Sequence, residues 1–271
     1  MSEVVLALLT RPEAAPAVLA AAAHLAELAG GARIEALVCR TPPLATILVT
    51  EDVLTSEQER EIRAQENARA AALHEIFADW AARQPGPPPP RWLNEEGAAA
   101  ALVKHWGERA DYIVASPPPA HATRPEYDTL HAALFDCARP VLLMPPHASA
   151  TFGKTIAVAW RDDKFTLHAV MAALRIAPKS ADIHVLMGQR DGVPRPQIPD
   201  VLREHGVPVT RHELAVEPAP FGAQLLAKAH EVNADLLVMG AFVHNAWRNL
   251  LFGGVTRYML AHADLPVLMR H

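Results

Sequence analysis

Short apolar runs alternate with longer segments of helical period from one end of the chain to the other. "EVVLALLT" at 3–10 is almost continuously apolar and predicts a strand buried on both faces. "EAAPAVLAAAAHLAELAGG" at 13–31 predicts an alanine-rich helix stopped by glycine. The pattern continues with a strand in "RIEALVCR" and a long helix over 56–83, whose first half is mostly charged and whose candidate cap is Ser56. Next come a strand in "PRWLNEEG", a helix in "AAAALVKHWGERA", a strand in "DYIVAS", a helix in "YDTLHAALFDCA" and a last strand in "PVLLMPP". A second series follows the same plan: "TIAVAW", "FTLHAVMAALRIAP", "DIHVLMG", "IPDVLREHG", "VTRHEL", "FGAQLLAKAHEVNA", "DLLVMG", "VTRYMLAHA" and "PVLMRH". Apolar strands separated by helices imply parallel strands covered on both faces, and right-handed crossovers wind them into an α/β sandwich.

The second series repeats the first in sequence as well as in pattern. "ADYIVASPPP" at 110–119 matches "ADLLVMGAFV" at 234–243, and "CARPVLLMPP" at 137–146 matches "HADLPVLMRH" at 262–271. Asp111 falls on Asp235 and Pro140 on Pro266 in the same order. The chain therefore reads as two tandem doubly wound, Rossmann-like α/β domains, 1–148 and 152–271, joined through "PPHASATFG". The proline-rich stretches "QPGPPPP" and "SPPPAH" read as stiff connectors.

Composition narrows the class. Hydrophobic residues make up 51% and charged residues 20%, as in a folded protein rather than a disordered one. The net charge of −5 gives no electrostatic reason to expect nucleic acid or an anionic membrane as partner. Cys39 and Cys137 share no CxxC spacing and read as reduced core thiols. No stretch approaches the roughly 20 apolar residues that a membrane span needs. The start, "MSEVVLALLTRPEAAP", lacks the basic region of a secretory signal, so a cytoplasmic protein is expected.

Candidate chemistry concentrates at one strand-to-helix crossover. Gly240 directly follows "ADLLVM", and the pair Gly253–Gly254 directly precedes "VTRYMLAHA", in a chain with only 13 glycines. Glycines there let the backbone turn sharply and approach a ligand, and a helix N-terminus seats an anion. Thr256 adds a hydroxyl, so a phosphate could be held by backbone amides without a lysine. The alternative is that the glycines only punctuate helices.

This segment, with its "HADLPVLMRH" ending, resembles the universal stress protein family. ATP-binding members of that family show Gly-x2-Gly-x9-Gly-(Ser/Thr) after the fourth strand, followed by Val-(Ser/Thr). The first glycine falls on Gly240 and the third on Gly253; the Ser/Thr position falls on Gly254, followed by Val255 and Thr256. The resemblance implies that these residues hold the phosphates of ATP or another adenine nucleotide, with Mg, while Ala159 and Val185 flank the base. Two positions depart: the second glycine is Val243, and the base-contacting aspartate near the end of the first strand is Arg161, with Asp162 and Asp163 next to it. Val243 stiffens the backbone and fills space. In the first domain Tyr127 and Asp128 stand where the glycine pair would be, and Pro117–Pro119 remove N–H donors, so that half reads as a structural partner. The family also pairs domains through their last strands, which makes "PVLLMPP" and "PVLMRH" the expected contact of an intramolecular pseudo-dimer, and a homodimer of such chains is a further expectation.

Other chemistry is sparse. Fourteen histidines show no HExxH and no paired Cys/His set, so no metal site is expected. His244 follows the glycine turn and faces either a phosphate or solvent; Arg248 and Arg257 either add positive charge beside a phosphate or lie on a solvated helix face. No G-x-S-x-G elbow or water-activating base is present. Two functional classes remain: a stress-response protein that binds an adenine nucleotide with little or no hydrolysis, and a nucleotide-independent interaction module of the same family with an unknown protein partner.

Overall fold

The apolar runs become strands, and they join into one ten-stranded sheet in the order β3-β2-β1-β4-β5-β10-β9-β6-β7-β8. The computed structural model describes residues 3–43, 55–84, 88–189, 192, 197–198, 200–216, 220–241 and 254–271. The first half contains β1 (Val4–Leu8), α1 (Ala15–Leu28), β2 (Arg33–Arg40), α2 (Ser56–Ala81), β3 (Arg91–Glu96), α3 (Ala99–Gly107), β4 (Tyr112–Ala115), α4 (Arg124–Phe135) and β5 (Val141–Leu143). The second contains β6 (Thr155–Trp160), α5 (Lys164–Ile176), β7 (Asp182–Gln189), α6 (Asp200–His205), β8 (Val209–Ala215), α7 (Phe221–Glu231), β9 (Leu236–Gly240), α8 (Gly254–His262) and β10 (Val267–Arg270). Every strand pair is parallel except one.

That exception joins the halves. β5 and β10 run antiparallel, with Leu143 opposite Val267, Leu142 opposite Leu268 and Val141 opposite Met269. All six side chains are at most 1% exposed. The expected pairing of last strands within one chain is therefore present: each half covers the edge the other would leave open. Tyr112 of β4 adds a bond across the halves, its buried hydroxyl donating to the Ala172 carbonyl of α5 at 3.1 Å. His24 of α1 meets Phe152 with its ring edge-on at 4.7 Å, and its Nε2 lies 2.9 Å from the Phe152 carbonyl.

The repeated Ala-Asp pair has a structural task in both halves. Asp111 accepts the Val4 N–H at 2.9 Å. Asp235 accepts three, from Gly153 at 2.7 Å, Lys154 at 3.0 Å and Thr155 at 3.2 Å. Each carboxylate thus fixes the start of the central strand of its half.

Two helix starts differ from the pattern-based expectation. The cap of α2 is Thr55 rather than Ser56, in a capping box with Gln58. α4 starts at Arg124, three residues before "YDTLHAALFDCA", because Thr123 and Glu126 form a second capping box. The long charged helix α2 packs on α1, β2 and β3, so it covers the first half. Close helix contact sets other positions: a Cβ on Gly222 of α7 would come 2.7 Å from the Tyr258 Cβ of α8. No helix among the described residues is long and apolar enough to cross a membrane.

Replacing Asp235 by alanine leaves three backbone donors unmatched and is expected to cost about 2–3 kcal/mol, whereas Asp111→Ala, which frees one, costs about 1. Urea midpoints of the two variants check the order; equal losses would contradict it.

Candidate functional site

The second half offers a crevice where its strand order reverses, at the carboxyl ends of β6 and β9. Two segments leave the sheet there. One is Arg161–Asp163, leading into α5; the other is Gly240–Ala241, at the end of β9. The Ala241 N–H donates to the Arg270 carbonyl at 2.8 Å, and Nδ1 of His271 lies 2.9 Å from the Ala241 carbonyl. The His271 ring stacks on Phe165 at 4.2 Å and meets Phe135 edge-on at 4.9 Å. The last residue of the chain thereby ties the exit of β9 to helices of both halves.

Gly254 opens α8, and among the described residues a Cβ added to it would meet nothing within 4 Å. Val255 is half-buried, and Thr256 is buried in the first turn. That turn carries no acidic residue. Val243, His244, Arg248 and Gly253 lie outside the described residues. Gly240, Gly254, Val255 and Thr256 thus belong to one crossover, and Ala159 sits half-buried at the penultimate position of β6, opposite Met239.

Val185 is not at that rim. It lies inside β7, fully buried and paired with Val158 and Arg211, so neither its side chain nor its backbone is open to a base. The rim of β7 is formed by Gly188 and Gln189. The space before Gly188 is taken by Phe221 and Val216, at 3.0 and 3.1 Å from a Cβ placed there. Asp163 is committed as the cap of α5, accepting the N–H groups of Phe165 and Thr166 at 2.9 Å each. Arg161 reaches the same carboxylate at 3.3 Å.

The matching crossover of the first half is closed by its own charges. Glu126, in the first turn of α4, accepts the Thr123 N–H at 2.7 Å and its hydroxyl at 2.8 Å. Arg11, just after β1, approaches the other Glu126 oxygen at 3.2 Å and donates to the Pro117 carbonyl at 3.2 Å. A carboxylate of the chain therefore occupies the place where a helix N-terminus would otherwise receive an external anion. Beside it, under α2, opens a cavity of about 560 Å³ whose lining includes Thr10, Arg11, Cys39, Glu66, Arg69 and Glu126. Arg69 donates to the carbonyls of Thr10 and Cys39 at 2.9 and 2.7 Å and grips Glu66 with two bonds. Burial alone would raise the Glu66 carboxyl, but the bonds from Arg69 and from the Thr41 N–H hold it below its usual range. Sequence reasoning passed over this cavity. Its signals were an arginine directly after the first strand and the Thr123-x-x-Glu126 box.

The thiols and histidines supply no further centre. Cys39 and Cys137 are free, and burial pushes both thiols up to about 12, against the opposing charge of Arg69 at Cys39. Among the described residues no three His, Cys, Asp or Glu side chains gather so as to hold a metal ion. His184 and His212 instead pair with each other at 3.0 Å across β7 and β8.

Residues 189–271 match the model of the Universal stress protein family. The whole chain superposes on a universal stress protein from Archaeoglobus fulgidus DSM 4304, with a TM-score of 0.65, 14% identity and coverage of 100% of this chain and 98% of that one. A protein from Pseudomonas aeruginosa UCBPP-PA14, assigned to the same family, matches with a TM-score of 0.55 and 16% identity over 99% of this chain and 93% of that one. A functionally unknown protein from Pseudomonas aeruginosa PAO1 matches with a TM-score of 0.51 and 14% identity over 99% and 92%. No curated protein matches in sequence. The last part of the chain thus matches that family model by sequence, and the full length has the fold of such proteins.

The Glu66–Arg69 pair gives a pH signature. A carboxyl whose folded pKa lies below its unfolded value of 4.5 stabilises the fold above that value and loses the contribution as pH falls through the folded pKa. The urea midpoint of the native protein should therefore drop more steeply on the acid side than that of Glu66→Gln, and parallel curves would contradict the assignment.

Proposed function

We propose that the second half binds an adenine nucleotide, ATP or a close relative accompanied by Mg²⁺, at the N-terminus of α8. The chain then acts as a cytoplasmic stress-response protein through conformation and partner affinity rather than turnover. Gly240, Gly253, Gly254, Val255 and Thr256 are the phosphate-side residues of this reading, and Ala159 lies on the base side. One observation carries it. The two crossover helices are counterparts, yet α4 begins with a carboxylate at its own amides while the first turn of α8 contains no acid. An uncompensated helix N-terminus favours an external anion. Slow or no hydrolysis fits this reading, since Asp163, at the entrance to α5, is engaged in capping.

A second reading, an interaction module that needs no nucleotide, is favoured by Arg161. It stands where the family resemblance asks for a base-contacting aspartate, and it pairs with the one carboxylate that caps α5.

Titrating Mg-ATP while following thermal unfolding separates the two. At about a hundred times the dissociation constant, a true site adds roughly 2.7 kcal/mol, a rise of a few degrees for a chain of this size. Gly254→Glu, which places a carboxylate in the first turn of α8, should abolish the rise without lowering the ligand-free midpoint. A rise only in Val243→Gly would mean an obstructed site, and none in any version would leave the interaction module.

A further inference from the structure

Three arginines converge on a cleft of about 190 Å³ at the seam between the halves. Arg139 lies two residues before β5, Arg270 ends β10 and Arg175 lies in the last turn of α5, with His168 two turns earlier on the same helix. Among the described residues none of the three forms an ion pair. The contact of Arg139 is a bond to the Glu108 carbonyl at 2.7 Å. The Nε atoms of Arg139 and Arg270 are buried and have no hydrogen-bond partner. The single carboxylate in the cleft belongs to Asp111, one oxygen of which already accepts the Val4 N–H. Buried guanidinium nitrogens without partners are costly, so a gathering of this kind calls for a counter-charge.

The fold itself does not ask for these charges. At the other end of the same antiparallel pair, the positions that correspond to Arg139 and Arg270 are Leu265 and Met144, both buried. One end of the seam is closed by apolar side chains, the other by arginines. The cleft is also separate from the crevice proposed for the nucleotide. α5 packs into the core on one face of the sheet together with Leu268, whereas Met259 of α8 packs into the core on the other face.

We propose that this cleft binds a phosphate group carrying two or more negative charges, either a free ion or the phosphoryl end of a small ester. Guanidinium groups match phosphate oxygens in bidentate pairs, and Arg139 and Arg270 supply donors from the two strands while Arg175 and His168 supply them from the helix. The volume equals about six waters at ~30 Å³ each, which suits one or two phosphate groups and excludes a whole nucleotide. Burial together with the neighbouring Arg139 and Arg175 lowers the Arg270 guanidinium pKa, the strain that a bound dianion would relieve.

Isothermal titration with sodium pyrophosphate, sodium phosphate and phenyl phosphate, at ionic strength matched with chloride, tests the site. Pyrophosphate is expected to bind the native protein. Arg270→Met, which keeps the packed stem, and Arg175→Gln, on the exposed side of α5, should each weaken it about tenfold or more. The ligand-free midpoint of Arg270→Met should stay level or rise, because one of three mutually repelling charges is gone; a structural arginine would lower it. Gly254→Glu should bind pyrophosphate unchanged, which separates this site from the nucleotide crevice. Phenyl phosphate binding as well as phosphate identifies an ester site, and much weaker binding identifies a free-ion site. Heat identical to the chloride control, or pyrophosphate affinity in both arginine variants equal to that of the native protein, would overturn the proposal.

Discussion

The antiparallel contact between β5 and β10 is the constraint on which the molecule depends. Each half is a five-stranded sheet whose last strand is apolar and short, and alone it would present an unpaired edge. Joining the two edges makes a single sheet in which the core on each face runs through both halves. The consequences extend beyond the seam. Tyr112 can reach α5, His271 can bridge α5 and α4, and the exits of β9 and β10 are fixed relative to helices of the other half. The candidate crevice of the second half thus rests partly on residues of the first.

Within that frame the two halves have diverged at the same place. Their strand order is the same and each has an aspartate latch, with one backbone bond in the first half and three in the second, but the first turns of their crossover helices differ in charge. In the first half Glu126 and Arg11 satisfy the helix and the strand end internally, and α2 lies over the adjoining cavity. In the second, the first turn of α8 brings no acid of its own, while Phe221 fills the rim that the first half leaves open. The two sites are thus complementary rather than duplicate.

Much of the architecture was legible because it depends on periodicity. Apolar runs such as "VVLAL" and "LLVMG" have one place to go in a sheet covered on both faces, and the matched Ala-Asp and Pro-Val segments marked the repeat. Helix starts were less legible, since they turn on single hydrogen bonds: Thr55 and Thr123, not the periodic residues after them, set where α2 and α4 begin. Depth along a strand was least legible of all. Val185 belongs to a continuous apolar run, and nothing local distinguishes its interior position from the rim at Gly188. The charged groups of the first-half cavity and of the seam are distant in sequence. Arg139, Arg175 and Arg270 come from three elements, and only the antiparallel register brings the first and last together.

That register has an evolutionary consequence. Two separate copies of one domain would meet as equals, and any change in one would appear at both ends of their shared seam. Here the partners are covalently linked and already unequal, so Leu265 and Met144 can be apolar where their counterparts are arginines. Linkage in one chain has turned a symmetric pairing surface into one with a distinguishable front and back, and each end is free to acquire its own chemistry.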